Sequence, residues 1–403
     1  MNVLYVYHGD WPRNATRPVK QTRALAAAGH RVHLLSGNPL GKPRLSQDEW
    51  LSVERLPSFG SPKRHRLLGF PVFLNPVWIS AIWRAARRCR ADCIIVVDLP
   101  LAAAAVAVGK VLRIPVHFDV ADVYPVGMRE RNTEHPGFVS RFTRNPEVAE
   151  AIERFVLARV SSTFVVSEEI RERCIDIGVA PERVVLVGNT PENVDDLHRD
   201  HPIPADIADW AGRPIMLFVG NLLPSRGLPT AIEAIDMARR SLPDIGFAIV
   251  GDGREEQSLR ALVRAGHLED HVRFLGWKPP SEHPAYLRHA TLGVLPFRPT
   301  EHINITLANK LFDYMGAGLP VLATDVRSMR RVLSETNAGL LVPPNDARAL
   351  ANGIVTLAND AELRDRLGRA GRRAVETTYA WAEDRRRFIE AIEREAPARL
   401  YSR

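Results

Sequence analysis

Short runs of aliphatic and β-branched residues alternate with amphipathic stretches along almost the whole chain, and this alternation restricts the fold more than any other feature. Strands are expected at 3–7, 31–36, 93–97, 116–120, 163–167 and 184–188, then at 215–220, 247–251, 272–276, 293–297 and 321–324. In the second series the runs are apolar almost without a break, as in strands buried on both faces of a parallel sheet. The pattern predicts an α/β fold with parallel sheets. A polar segment at 195–213, carrying Pro202 and Pro204, separates two βα series of similar length. Two Rossmann-like domains facing a cleft are therefore expected, at 1–200 and 201–378, with ligands at the carboxyl ends of the strands. Past Asn345 the chain reads as helix, at 347–359, 361–378 and 381–395.

Composition removes several classes. At 403 residues, 45% hydrophobic and 25% charged, the chain is neither disordered, collagenous nor coiled coil. The apolar stretch 70–83 is broken by Asn75 and Pro76, and the run after Cys93 contains Asp98 and Pro100. Residues 1–10 lack the basic start and apolar core of a signal peptide, so a soluble cytoplasmic chain is expected. Cys89, Cys93 and Cys174 are an odd count with no ligand cluster, which fits neither a disulfide framework nor a zinc site. A net charge of +7 suits anionic lipid or phosphorylated small molecules. No recognition motif for nucleic acid accompanies it.

The phosphate motifs narrow by elimination. Gly251-Asp252-Gly253 follows a strand, but Glu256 stands where a dinucleotide fingerprint needs its third glycine, which disfavours a nicotinamide or flavin. Gly41-Lys42 is misplaced for a P-loop and is followed by Pro43. No Asp-x-Asp pair is present to hold a metal on a diphosphate, so a metal-free site at helix termini is expected. Two segments fit it. Phe218-Val219-Gly220-Asn221 ends a strand, and Ser225-Arg226-Gly227-Leu228 opens a helix, where amides and a forked guanidinium suit phosphate. From Thr306, read as an N-cap, a helix runs through Asn309, Lys310 and Asp313 to a stop at Gly318 and Pro320. Asn309 and Asp313 share one face beside Lys310, and a carboxylate one turn inside suits ribose hydroxyls. Solvated surface turns and helix faces would read the same way.

With these residues the chain resembles the GT-B glycosyltransferases of the family 4 type. The resemblance also runs through Ile249-Val250-Gly251-Asp252-Gly253, Val272-Arg273-Phe274-Leu275-Gly276-Trp277, Gly318-Leu319-Pro320-Val321, Gly339-Leu340-Leu341-Val342-Pro343, Gly29-His30-Arg31-Val32 and Asn189-Thr190-Pro191. It implies a retaining transfer from a nucleoside diphosphate sugar, UDP- or GDP-linked, with no other cofactor. It also implies a C-terminal helix, 379–403, crossing back to the first domain. In that framework Arg226 and Lys310 are the cations on the diphosphate, with amides around Asn221 and Thr306, Leu307 and Ala308. Asp313 holds the ribose, and Gly220, Gly227, Gly251, Asp252, Gly253, Trp277, Lys278 and Asn309 line the donor site. Gly9 and Arg17 are expected near the diphosphate. Asp119, Asp122 and Glu301 are candidates for positioning acceptor or sugar. Three positions depart from the family pattern: Asn221 replaces a common arginine, Ile305 the first of two acids, and Ala121 a common histidine.

The segment 62–83 sets Lys63, Arg64 and Arg66 beside Phe70, Phe73, Trp78 and Trp83. An anionic membrane or lipid-linked acceptor fits it, as does a half-buried helix with a solvated basic rim. The expected function is sugar transfer in bacterial-type polysaccharide or glycolipid assembly, at the inner face of a membrane. A GT-B-fold sugar-nucleotide epimerase and a non-catalytic nucleotide-binding relative stay open as alternatives.

Overall fold

The computed structural model describes residues 1–12, 15–38, 40–58, 73–134 and 145–395. The chain divides into two compact units, Met1–Gly188 together with the chain from Ala382, and Asn189–Trp381.

The first unit carries β1 (Asn2–Asp10), β2 (Arg31–Gly37), β3 (Leu45–Gln47), β4 (Leu51–Arg55), β5 (Cys93–Val97), β6 (Val116–Val120), β7 (Ser162–Val165) and β8 (Val184–Leu186). They form one sheet in the order β3-β4-β2-β1-β5-β6-β7-β8, parallel except for the β3–β4 pair. The chain moves outward from β1 in both directions, so the switch point lies at the carboxyl ends of β1 and β5. Every residue of β5 and β6 is buried. Local signals set the helices. Asn75 caps Pro76–Cys89 by accepting from the Val77 and Trp78 amides, Pro76 occupies the first turn, and Arg90 ends the helix in a left-handed conformation. Phe388, on the helix Trp381–Arg394, meets Phe164 edge-on with ring centroids 4.8 Å apart.

The second unit carries β9 (Ile215–Val219), β10 (Gly246–Val250), β11 (Val272–Gly276), β12 (Leu292–Leu295), β13 (Val321–Thr324) and β14 (Gly339–Val342). Their order, β11-β10-β9-β12-β13-β14, is fully parallel and doubly wound. The four inner strands are buried at every residue. The segment 195–213, expected as the boundary, lies inside this unit. Its composition is polar, but Leu197 in one short 3-10 turn and Ile207 and Trp210 in another enter the core.

Strand ends in the second unit are joined backbone to backbone. A Cβ on Gly251 (φ 139°) would lie 1.9 Å from the Gly220 carbonyl oxygen, and one on Gly227 (φ 65°) 1.8 Å from that of Pro296. Both positions combine a conformation unfavourable to side chains with no room for one. Gly251→Ala and Gly227→Ala should each destabilise the second unit by at least ~2 kcal/mol. Urea unfolding of each variant checks this, and a parental midpoint would contradict it.

Candidate functional site

At the carboxyl end of the second sheet three loops are stitched together. The Gly220 amide donates to the Val250 carbonyl (2.9 Å), Leu222 to Asp252 (2.8 Å), and Gly251 to Gly276 (2.8 Å). Asn221 and Asp252 are exposed on this surface, and Gly253 packs against the Leu222 backbone. Arg226 closes the 3-10 turn Pro224–Arg226, its guanidinium carbon 4.7 Å from the Phe297 ring centroid. Gly227 then opens the helix Leu228–Ala238.

The second segment differs in detail from its expected form. Thr306 does not cap the helix Asn309–Gly316. It closes the preceding short helix Glu301–Ile305, its hydroxyl donating to the His302 carbonyl (2.8 Å). Thr300 caps that short helix, Glu301 is exposed at its start, and Ile305 is half-buried at its end. Leu307 is buried, and Ala308 stands at the N-cap of Asn309–Gly316 with no side-chain cap. The first turn of this helix thus offers amides without a side-chain acceptor. Lys310 Nζ lies 3.1 Å from Asp313 Oδ2. Tyr314 anchors the helix to β9, its hydroxyl oxygen accepting from the Val219 amide (3.0 Å).

Beyond β11, Trp277 is 42% exposed. The Lys278 ammonium turns to Asp206 (2.8 Å), so only the Lys278 backbone is left to line a base pocket. That pair raises the Lys278 pKa above the usual lysine value through its hydrogen bond to Asp206. The Lys278 carbonyl oxygen lies 3.2 Å from His283 Nε2. Burial, and then the Lys310 ammonium, push His283 down to about 4. No motif marks this histidine, and sequence reasoning passed over it.

In the first unit Arg17 is not placed as a phosphate ligand. It is buried and grips Asp119 through Nε (2.8 Å) and Nη2 (2.6 Å), and donates from Nη1 to the Val187 carbonyl (2.7 Å). Asp119, fully buried, is thereby committed to the fold rather than to a sugar. Gly9 lies within β1, with the Tyr7 ring where its side chain would be. Asp122 is exposed beyond β6, next to Ala121. The segment 59–72, with Lys63, Arg64 and Arg66, lies outside the described residues.

Asp98 was also missed. It sits at the switch point just past β5, buried, with φ 62° and ψ 161°. Its carboxylate accepts one long bond, 3.4 Å from the Asp122 amide. Burial, then Asp122 and Asp119, raise its pKa well above the carboxylate range. Only its position after an apolar strand could have signalled it. A raised acid binds more protons folded than unfolded, so its contribution to stability falls as pH rises above the ordinary carboxylate value, about 3.9. Asp98→Asn should flatten that decline, measured as urea midpoints across the pH range. An unchanged pH profile would contradict it.

Among the described residues no group of three His, Cys, Asp or Glu side chains is arranged to hold a metal, and no helix is long and apolar enough to cross a membrane.

Comparison with known proteins agrees with this organisation. Residues 204–374 match the family profile described as Glycosyl transferases group 1, and residues 15–190 the Glycosyl transferase 4-like domain. The phosphatidyl-myo-inositol mannosyltransferase of Mycobacterium leprae is 36% identical over 168 residues, covering 41% of this chain and 43% of that protein. The match therefore spans less than half of the mannosyltransferase. The 2-deoxystreptamine glucosyltransferase of Streptomyces kanamyceticus is 27% identical over 376 residues, 86% of this chain and 91% of that protein. Two solved structures share the fold: sucrose-phosphate synthase from Thermosynechococcus elongatus (TM-score 0.75, 20% identity, 98% of both chains) and Anabaena HepE in complex with UDP (TM-score 0.69, 16% identity, 98% and 100%). With both units matched in chain order, and one fold followed from end to end, the chain belongs to the GT-B glycosyltransferases of the family 4 type.

Proposed function

We propose that the chain moves a sugar from a UDP- or GDP-linked donor to an acceptor hydroxyl with retention, without a divalent metal. The observation that carries this reading is the helix Asn309–Gly316: its N-terminus has no side-chain cap, it pairs Lys310 with Asp313, and Tyr314 fixes it to the end of β9. In the reaction the bond from the anomeric carbon to the diphosphate oxygen breaks as the acceptor oxygen bonds to that carbon on the same face. The acceptor proton passes to the departing phosphate oxygen. The protein's task is to stabilise charge growing on that oxygen. Arg226 and Lys310 supply cations, the first-turn amides supply donors, and Asp313 receives the ribose hydroxyls.

The acceptor belongs to the first unit on this reading, and a lipid-linked acceptor at the inner face of a membrane suits it best. Supporting that choice, an apolar groove of about 430 Å³ is lined by Pro76, Ile79, Trp83, Ala107, Val108 and Val111, and the Arg87 guanidinium lies 5.1 Å from the Trp83 ring centroid. Polysaccharide or glycolipid assembly is the corresponding role.

Charge-assisted contacts to phosphate contribute about 1.5–3 kcal/mol each. Arg226→Ala and Lys310→Ala should therefore each lower turnover roughly ten- to a hundred-fold, and Asn221→Arg should be tolerated. Near-parental kinetics for folded Lys310→Ala would leave Lys310 a solvated side chain. Reversible loss of nucleotide binding on chelation would overturn the metal-free site. Conversion of the nucleotide sugar without acceptor would instead indicate an epimerase. For the membrane, vesicles containing anionic lipid should float the protein in a salt-sensitive way, less so after Lys63, Arg64 and Arg66 become Ser. Equal flotation of parent and variant would contradict the membrane role.

A further inference from the structure

We infer that His283 reads the donor's nucleobase, accepting a hydrogen bond from a ring N–H, so that the site selects uracil- or guanine-type bases over adenine and cytosine. The inference rests on the donor-site reading above. It begins with a tautomer. His283 Nε2 lies 3.2 Å from the Lys278 carbonyl oxygen, and a carbonyl only accepts, so Nε2 carries the proton. In a neutral ring Nδ1 is then a bare acceptor. The ring is neutral at ordinary pH, because burial and the nearby Lys310 ammonium disfavour its charged form. No hydrogen bond to Nδ1 is made among the described residues.

The surroundings decide what this acceptor meets. Lys310 and Asp313 lie close enough for both charges to act on His283, and these are the groups assigned to diphosphate and ribose. A nucleobase is the next part of the ligand. Trp277, 42% exposed just before Lys278, offers an aromatic face of the kind on which bases stack. Lys278 does not compete for that role, since its ammonium is held by Asp206 at 2.8 Å. His283 Nδ1 is an acceptor, and it demands a donor. Uracil and guanine present a ring N–H on their pairing edge. Adenine and cytosine present a bare ring nitrogen there, which would meet Nδ1 lone pair to lone pair.

Titration calorimetry on the full chain tests this with UDP, GDP, ADP, CDP, N3-methyl-UDP and N1-methyl-GDP. The parent should bind UDP or GDP at least roughly three- to ten-fold more tightly than the matching N-methyl analogue, and more tightly than ADP and CDP. His283→Ala should weaken the preferred nucleotide by a similar factor and bring it level with its N-methyl analogue. His283→Gln, which keeps an acceptor, should restore part of the preference and guards against a folding artefact. Equal binding of UDP or GDP by the parent and by folded His283→Ala, or ADP binding as tight as either, would overturn the inference and leave the donor site standing. A parent that binds none of the six would overturn the donor-site reading and this inference together.

Discussion

Two backbones touch where β9 and β10 end, and the chemistry of the second unit is arranged around that contact. A side chain at Gly251 would overlap the Gly220 carbonyl, and one at Gly253 the Leu222 carbonyl (2.4 Å). Without side chains, the amides and carbonyls of adjacent loops bond directly, as Leu222 does to Asp252. Tyr314 extends the arrangement, since its hydroxyl takes the Val219 amide and so fixes the helix bearing Lys310 and Asp313. Donors held in this way need not reorganise as charge develops, which is the condition under which they lower a barrier most.

The first unit sets a contrast between two carboxyl groups on neighbouring strand ends. Asp119 receives a guanidinium, and Arg17 also takes the Val187 carbonyl, so β1's following helix, β6 and the end of the β-series are tied by one buried ion. Breaking such a pair by removing one partner usually costs about 3–5 kcal/mol, because the other charge is left buried. Among the described residues Asp98 receives no hydrogen bond from a cation, and it adopts a backbone region that side chains seldom enter. Strain of that kind persists only where surrounding structure enforces it. The first acid holds the sheet together, whereas the second sits at the switch point with its proton disfavoured from leaving.

Apolar strands were the most legible part of the sequence. Residues 93–97, 116–120 and 321–324 form strands with the expected limits, because uninterrupted burial on both faces leaves one reading, and 272–276 does so at the sheet edge although all of it but Val272 is only half-buried. The short edge strand Leu45–Gln47 and its neighbour Leu51–Arg55 were not, since interspersed polar residues look like loop. Thr306 has good capping chemistry, yet its hydroxyl found the His302 carbonyl behind it. Pairings across many residues were equally hidden. Nothing local says that Arg17 will meet Asp119, or that Lys278 will turn to Asp206 and leave its carbonyl to His283.

The departures at Asn221 and Ile305 make physical sense together. The family pattern puts a cation at the first position and an acid at the second; this chain has neither. At ~6 Å and an effective dielectric near 20, one unit charge contributes about 2.8 kcal/mol to another. Losing the arginine alone would weaken the hold on a diphosphate by an amount of that order. Losing the acid removes repulsion of the same order from the same anion. On the donor-site reading the two changes nearly cancel in the field felt by the phosphates, and Arg226 and Lys310 are the residues proposed to supply directed contacts. On the same reading they would not cancel for an uncharged sugar, which would lose two directional partners and gain an apolar one. On the donor-site reading, diphosphate binding survives this pair of substitutions while sugar selection passes to other groups.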